Sequence, residues 1–164
     1  MGDFHRCIEI ILIEEGGLVN HPRDPGKLTK FGISQRSYPD IDITALTREQ
    51  AIGIYQRDYW EPIHGGSLPV GLDLLLLDTA ANMGATTAVL LLQEAVGVTM
   101  DGIIGPVTLA RARQTMPDVL REFCALRAWH YEINRNEDVF GKGWFRRLFH
   151  MYDTAVSWHV GRSE

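Results

Sequence analysis

"ILIEEGGLVNHPRDPGKLTKFGIS", residues 11–34, decides how the chain is interpreted, because an apolar helical pattern ends there on two glutamates and two glycines. At about 100° per residue, one narrow sector of this helix holds four residues: Phe4, Ile8, Ile11 and Glu15. Glu15 therefore extends the apolar stripe, whereas Glu14 lies about 100° away from it. Gly16 and Gly17 end the helix, since glycine readily adopts the left-handed cap conformation.

The position of Glu15 has two consequences for its carboxyl group. Partial burial beside isoleucines disfavours the charged form, and so does the negative end of the helix dipole. A carboxylic acid that stays protonated near neutral pH is what a glycosidase needs to protonate a leaving oxygen. The alternative is a boundary residue whose side chain reaches out to water, and this helix alone leaves both interpretations open.

The loop after this helix adds Asp24 and Thr29, with Pro22, Pro25 and Gly26 stiffening the path between them. A second, ionised carboxylate can activate water or stabilise an oxocarbenium-like transition state, and a hydroxyl can hold that water. Asp24 before Pro-Gly is also a good turn former, and Thr29 also suits a strand. Spacing alone leaves these alternatives open.

Length and composition predict one globular domain with a sizeable core: the chain has 164 residues, of which 45% are apolar and 23% charged. A net charge of −5 with scattered Lys and Arg gives no basic surface for nucleic acid.

The most apolar window, VGLDLLLLD, is bounded by Asp73 and Asp78 and is far too short to span a bilayer. No secretory signal precedes it, so we expect synthesis in the cytoplasm.

The spacing of histidines and cysteines in the sequence does not indicate a cofactor site. The six histidines include no pair at a ligand spacing with supporting carboxylates, so neither a zinc site nor another cofactor is expected. Cys7 and Cys124 lie far apart in apolar helical contexts, which favours buried thiols and leaves a disulfide open.

Helical periodicity dominates the chain, and the predicted class is mainly α with a small hairpin or loop after the first helix. Asp3 can cap the first helix, and Thr47 with Gln50 forms a capping box. The predicted helices span residues 3–15, 47–59, 70–82, 86–96, 106–115, 117–134 and 143–158.

EGGLVNHPRDPGKLTKFGIS resembles the signature of glycoside hydrolase family 108, the peptidoglycan-cleaving muramidases of phages and prophages. LDTAANMGATTAVLLLQEAVGVTMDGIIGPVTLARA is similar to that family's second half, which is often labelled a peptidoglycan-binding region. Leu18 in place of an aromatic residue, Gly26-Lys27 in place of Gly-Gly, and Arg146 depart from the family's usual pattern. The resemblance implies one lysozyme-like domain, residues 1–164, with the catalytic helix and loop in 1–66 and a helical half in 67–164.

The resemblance also implies roles for individual residues. Glu15 would be the catalytic acid, Asp24 and Thr29 would serve the attacking water, and Asn82 would face the cleft and bind the glycan. Tyr131 and Trp144 are aromatic residues that either stack on sugars or belong to the core. Asn82 alone suits a helix C-cap equally well.

The implied function is hydrolysis of the β-1,4 bond between N-acetylmuramic acid and N-acetylglucosamine in peptidoglycan. The implied setting is a monomeric phage endolysin that a holin releases to the cell wall. Two alternatives stay open: a lytic transglycosylase, which leaves an anhydro sugar, and a peptidoglycan-binding or tail structural protein without catalytic activity.

Overall fold

The computed structural model describes residues 1–15, 19–20, 28–133 and 137–161, with the backbone alone for 19–20 and 137–139. Asp24 lies outside the described residues, as do Gly16, Gly17 and Leu18.

The first helix, α1, spans Phe4–Glu15 as predicted. Asp3 caps it, because its Oδ1 atom accepts a hydrogen bond from the Arg6 amide at 3.2 Å. Phe4, Ile8 and Ile11 are buried, so the apolar stripe that leads to Glu15 faces the core.

A small antiparallel sheet follows α1, and the predicted hairpin is confirmed. Its strands are β1 (Val19–Asn20), β2 (Leu28–Lys30) and β3 (Ile33–Ser34), in the order β1-β2-β3. Thr29 pairs with Val19 on one side and with Ser34 on the other.

The second helix, α2 (Arg48–Tyr55), begins with the predicted capping box of Thr47 and Gln50. It continues as one π-helical turn, Gln56–Trp60, instead of ending as an α-helix. A short 3-10 turn, Gly65–Ser67, then leads into the helical half of the chain.

Five further helices follow: α3 (Leu72–Met83), α4 (Ala85–Ala95), α5 (Pro106–Gln114), α6 (Asp118–Glu132) and α7 (Glu137–Val160). The predicted bounds of α3 to α6 agree within one or two residues. The predicted start of α7 at residue 143 was wrong, because the helix already begins at Glu137. Glycine weakens a helix, but aromatic packing supports this one: the Trp144 ring lies 6.1 Å from the Phe140 ring and 5.3 Å from the Tyr131 ring, measured between centroids.

Helix α3 forms the centre of the core and packs against α1, α4, α6 and α7. Every residue from Leu72 to Ala80 is buried, including Asp73 and Asp78. The two aspartates that limit the apolar window in the sequence are therefore part of the buried helix. Asp73 is accommodated because it accepts hydrogen bonds from the backbone amides of Asp3, Gly71 and Leu74.

The architecture is α-rich and lysozyme-like, which confirms the predicted fold class. Cys7 and Cys124 are both buried and unpaired with each other, as the favoured interpretation held. Among the described residues, no helix combines the length and the apolar character that crossing a membrane requires.

Candidate active site

Glu15 is the last residue of α1, and its side chain is 20% exposed. Its Oε1 atom lies 2.5 Å from Nη1 of Arg147, which α7 contributes from the other end of the chain. As helical spacing indicates, Glu15 is the most buried of the three glutamates of α1, with a side chain 20% exposed against 28% for Glu14 and 58% for Glu9. Glu14 faces His150 at 3.5 Å, and Glu9 lies on the polar side in an ion pair with Arg48 at 2.6 Å.

The turn between β2 and β3 lies directly against the Glu15 carboxyl group. Gly32 has a φ of +75°, and a Cβ atom built there would lie 2.7 Å from Glu15 Oε2 and would clash with the Tyr55 hydroxyl. Phe31, the other turn residue, also has a positive φ of 52°. A residue without a side chain is therefore required where the hairpin covers the carboxyl group.

Tyr55 of α2 locks this turn, since its hydroxyl donates a hydrogen bond to the Phe31 carbonyl oxygen at 3.1 Å. Burial raises the pKa of Tyr55 above its usual range, and the nearby Glu15 charge raises it further, against a smaller opposing effect of Arg147. The hydroxyl thus remains a neutral donor beside Glu15.

Asp78 of α3 connects this carboxyl group to the interior. Its Oδ1 atom accepts a hydrogen bond from Arg147 Nε at 2.7 Å, and its Oδ2 atom accepts one from Arg127 Nη1 at 2.5 Å. We call Glu15, Asp78, Arg127 and Arg147 the charge layer. Asp78 and Arg127 are fully buried, whereas Arg147 is 13% exposed.

The charges of this layer balance, with two guanidinium groups against two carboxyl groups. Burial opposes the ionised form of Asp78, but Arg127 and then Arg147 outweigh it and hold its pKa below the usual range. Burial also opposes the charge on Arg147, but Asp78 and Glu15 raise its pKa above the ordinary value. Both groups are therefore charged at neutral pH.

Beside the charge layer lies a pocket of about 410 Å³. Six residues line it: Asn82, Met83, Thr87, His130, Tyr131 and Trp144. Three of the four helices that supply the charge layer also supply a pocket residue about one turn away: Asp78 and Asn82 on α3, Arg127 and Tyr131 on α6, Arg147 and Trp144 on α7.

The three residues expected to bind glycan thus converge on one pocket, although they differ in exposure. Asn82 is exposed near the end of α3, and Trp144 is half-buried. Tyr131 belongs to the core, and its hydroxyl accepts a hydrogen bond from Arg127 Nε at 2.7 Å. The alternative that placed the two aromatic residues in the core therefore holds for Tyr131, which nevertheless forms part of the pocket wall.

Of the other expected residues, Thr29 is half-buried in β2, two positions before the Phe31–Gly32 turn that covers Glu15. The described residues contain no group of three His, Cys, Asp or Glu side chains that could hold a metal ion.

Sequence reasoning missed Gly32, Tyr55, Asp78, Arg127 and Arg147. Asp78 carried a signal, because an aspartate inside the most apolar helix must find hydrogen-bond donors or a cationic partner if it is buried. Arg147 carried a weaker one, since it lies one position before Leu148 on the apolar face of α7.

Fold and site together define a lysozyme-like protein with a glutamate at a helix end, covered by a glycine turn. The sequence profile of Glycosyl hydrolase 108 matches residues 8–84, which include Glu15, the hairpin and the whole of α3. The chain is also similar to SagA of Brucella abortus, a solved structure, with 33% sequence identity, a TM-score of 0.89 and coverage of 95% of each chain. No curated protein sequence matches the chain significantly. The chain belongs to glycosyl hydrolase family 108, a membership that supports glycoside hydrolase activity of a muramidase-like kind on peptidoglycan.

Proposed function

We propose that the protein is an N-acetylmuramidase that hydrolyses the β-1,4 bond between N-acetylmuramic acid and N-acetylglucosamine, with Glu15 as the general acid. The observation that carries this proposal is the Glu15 carboxyl group itself. It is partly exposed at the end of an apolar helix face, held by Arg147 on one side and covered by the Gly32 turn on the other. A protein that only binds glycan has no need for a carboxyl group placed in this way.

The acid must carry a proton when the glycosidic oxygen arrives, and in the free protein its carboxyl group contacts the Arg147 guanidinium. A glycan strand that covers the exposed fifth of Glu15 removes water, which disfavours the charged form. We therefore expect substrate binding to favour proton uptake. The proton then passes to the leaving oxygen as the glycosidic bond breaks, and water adds to the anomeric carbon.

Asp24 and Thr29 complete the proposal on the water side. Asp24 would activate or orient the attacking water, and the Thr29 hydroxyl would hold it. Support for Asp24 comes from the sequence resemblance alone, whereas Thr29 is carried by the strand that enters the turn over Glu15.

The pocket of Asn82, Tyr131 and Trp144 would bind sugar residues of the strand beyond the cleavage point. Its amide, hydroxyl and aromatic groups are the types that recognise sugars by hydrogen bonds and stacking. We expect Asn82→Ala to raise KM for soluble glycan chains with little change in kcat. Thr86→Ala is the control, because Thr86 is exposed on α4 and does not line the pocket.

The decisive experiment digests purified sacculi with the wild type and with Glu15→Gln, followed by mass spectrometry of the released fragments. Loss of the general acid should lower the release of reducing muropeptides by at least about 10²-fold. Glu14→Gln is the matched control, since Glu14 faces His150 rather than the charge layer, and it should retain wild-type activity. Both variants must show wild-type melting temperatures.

Other products would assign another function. Fragments with 1,6-anhydromuramic ends would identify a lytic transglycosylase. Sacculus binding without release of any fragment by the wild type would identify a binding or tail structural protein.

The endolysin role, with release to the wall through a holin and action as a monomer, belongs to the same proposal. Expression in a bacterial cytoplasm should leave cells intact until a holin is co-expressed and should then lyse them. Lysis that is equally fast without the holin would contradict this route.

A further inference from the structure

The side chain of Arg147 connects Asp78 to the Glu15 carboxyl group. Arg147 donates a hydrogen bond from Nε to Asp78 Oδ1 at 2.7 Å, and its Nη1 atom lies 2.5 Å from Glu15 Oε1. A guanidinium group is planar and rigid, so a carboxylate that fixes one edge also fixes the direction of the opposite donor. Asp78 itself cannot move, because it is fully buried and its other oxygen is held by Arg127.

We propose that Asp78 is a positioning residue for Glu15, acting through Arg147. The inference rests on the proposed role of Glu15 as the general acid, and it concerns both the place and the charge of that group. Asp78 aims the Arg147 guanidinium at Glu15 and offsets part of its positive charge. Glu15 is thereby held in place and still accepts a proton.

Among the residues that the structure describes, the groups that face Glu15 leave this balance to the charge layer. Helix α2 contributes the neutral Tyr55 hydroxyl, and the hairpin contributes the Gly32 backbone, neither of which is charged. On the flank, Glu14 and His150 face each other at 3.5 Å. Arg147 is thus the guanidinium in direct contact with the Glu15 carboxyl group, and Asp78 is the next charged group behind it.

The charge balance predicts that replacing Arg147 or Asp78 by an uncharged residue moves the alkaline limb of the activity profile in opposite directions. Arg147→Gln removes the adjacent positive charge, so Glu15 should keep its proton to higher pH, and the alkaline limb of the activity profile should move up by about one to three pH units. Asp78→Asn leaves the charge of Arg147 without its offset, so that limb should move down, by about one pH unit. A role of these residues in stability alone would lower the melting temperature without moving the limb.

Arg146→Gln is the matched control, because it removes the same charge from the neighbouring, exposed position of α7. It should leave the pH profile unchanged. Arg147→Lys keeps the charge but loses the planar fork that holds two carboxylates at once. It should lower kcat with a small displacement of the limb, which separates the positioning effect from the charge effect.

Asp78→Asn leaves two buried guanidinium groups against one carboxylate and is the variant with the greatest risk of unfolding. The double variant Asp78→Asn/Arg127→Gln removes one charge of each sign and keeps the layer neutral. Asp78 contacts Arg147 directly, whereas Arg127 lies behind Asp78, so the lost offset of Asp78 is the larger of the two changes and the alkaline limb should again move down, by less than in Asp78→Asn.

A second measurement is independent of activity. Carbon-13 NMR of glutamate carboxyl groups, with the Glu15 signal assigned by its loss in Glu15→Gln, follows the protonation of Glu15 directly. If the midpoint of the Glu15 titration moves in opposite directions in Arg147→Gln and in the Asp78 variants, the proposal is supported, even in a protein that releases no muropeptides. A lack of hydrolysis would therefore overturn the proposed function but not the positioning role of Asp78. Identical Glu15 titrations in wild type, Arg147→Gln and the double variant would overturn the positioning role, even in an active enzyme.

Discussion

Replacement of Gly32 by alanine tests whether the hairpin turn is fitted to the Glu15 carboxyl group. The new methyl carbon would lie 2.7 Å from Glu15 Oε2 and would clash with the Tyr55 hydroxyl, and the backbone φ of +75° is unfavourable for any residue with a side chain. The left-handed conformation costs about 1–2 kcal/mol, and forcing a methyl group into packed surroundings costs about 1–3 kcal/mol. We expect Gly32→Ala to lower the free energy of unfolding by about 3 kcal/mol.

That loss corresponds to a fall in melting temperature of about 6–12 °C for a domain of this size. Activity should fall further than stability, because the methyl group displaces the Glu15 carboxyl group and a misplacement of about 1 Å can cost about 10²-fold in rate. Thermal denaturation and sacculus digestion at 20 °C, where the variant is still folded, measure the two effects separately.

Gly143→Ala is the matched control, because the same substitution should be tolerated at this position. A Cβ atom at this position in α7 meets no described atom within 4 Å, and alanine is the better helix former by about 0.5–1 kcal/mol. Gly143→Ala should therefore raise the melting temperature slightly and leave hydrolysis unchanged. Equal stability and equal activity of the two variants would refute the reasoning about the turn.

Three further predictions concern the core and its titratable groups. Leu76→Asp should abolish cooperative melting, because Leu76 is fully buried in α3, whereas Ile13→Asp should be tolerated at a side chain that is 73% exposed; a normal melting temperature for Leu76→Asp would contradict this placement. The folded-state pKa of Asp78 is lowered, so its contribution to stability is present above its ordinary value of 3.8 and is lost as the pH falls through the folded value, by up to about 1.4 kcal/mol per pH unit; urea denaturation of wild type and Asp78→Asn should give a difference that shrinks below pH 3.8. Burial raises the pKa of Cys7 above its usual range and that of Cys124 to about 12, so at pH 8 both thiols should react with a thiol reagent slowly when folded and rapidly in denaturant.

The local parts of the fold follow from local patterns. The Thr47–Gln50 capping box and the stripe ending at Glu15 both depend on residues three or four positions apart, and both are present as predicted. Where distant packing decides the outcome, the predictions were wrong. Helix α7 begins at Glu137, six residues before the predicted start, and its Trp144 ring packs against the Tyr131 ring of α6.

The residues of the candidate site show the same difference between local and distant interactions. Glu15 was accessible to sequence reasoning because helical spacing alone places it on the apolar face. Arg147 and Asp78 were not, since they are 69 positions apart and touch only because α3 and α7 pack side by side. Pattern analysis shows that a buried aspartate needs a partner, but it does not show which arginine will reach it.

The charge layer also explains why the site occurs within a single packed unit. Burying two guanidinium groups and two carboxyl groups carries a desolvation cost that their mutual attraction roughly offsets, so apolar residues of similar size would serve stability equally well. The layer connects Glu15 on α1 with α3, α6 and α7, and each of these three helices also forms the wall of the Asn82 pocket. Asp78 and Arg147 therefore form a direct chain of contacts between the helices of that pocket and the Glu15 carboxyl group. Substitutions that pack well but remove the layer should keep the melting temperature and uncouple glycan binding from hydrolysis, since the pocket would remain while the acid would lose its support.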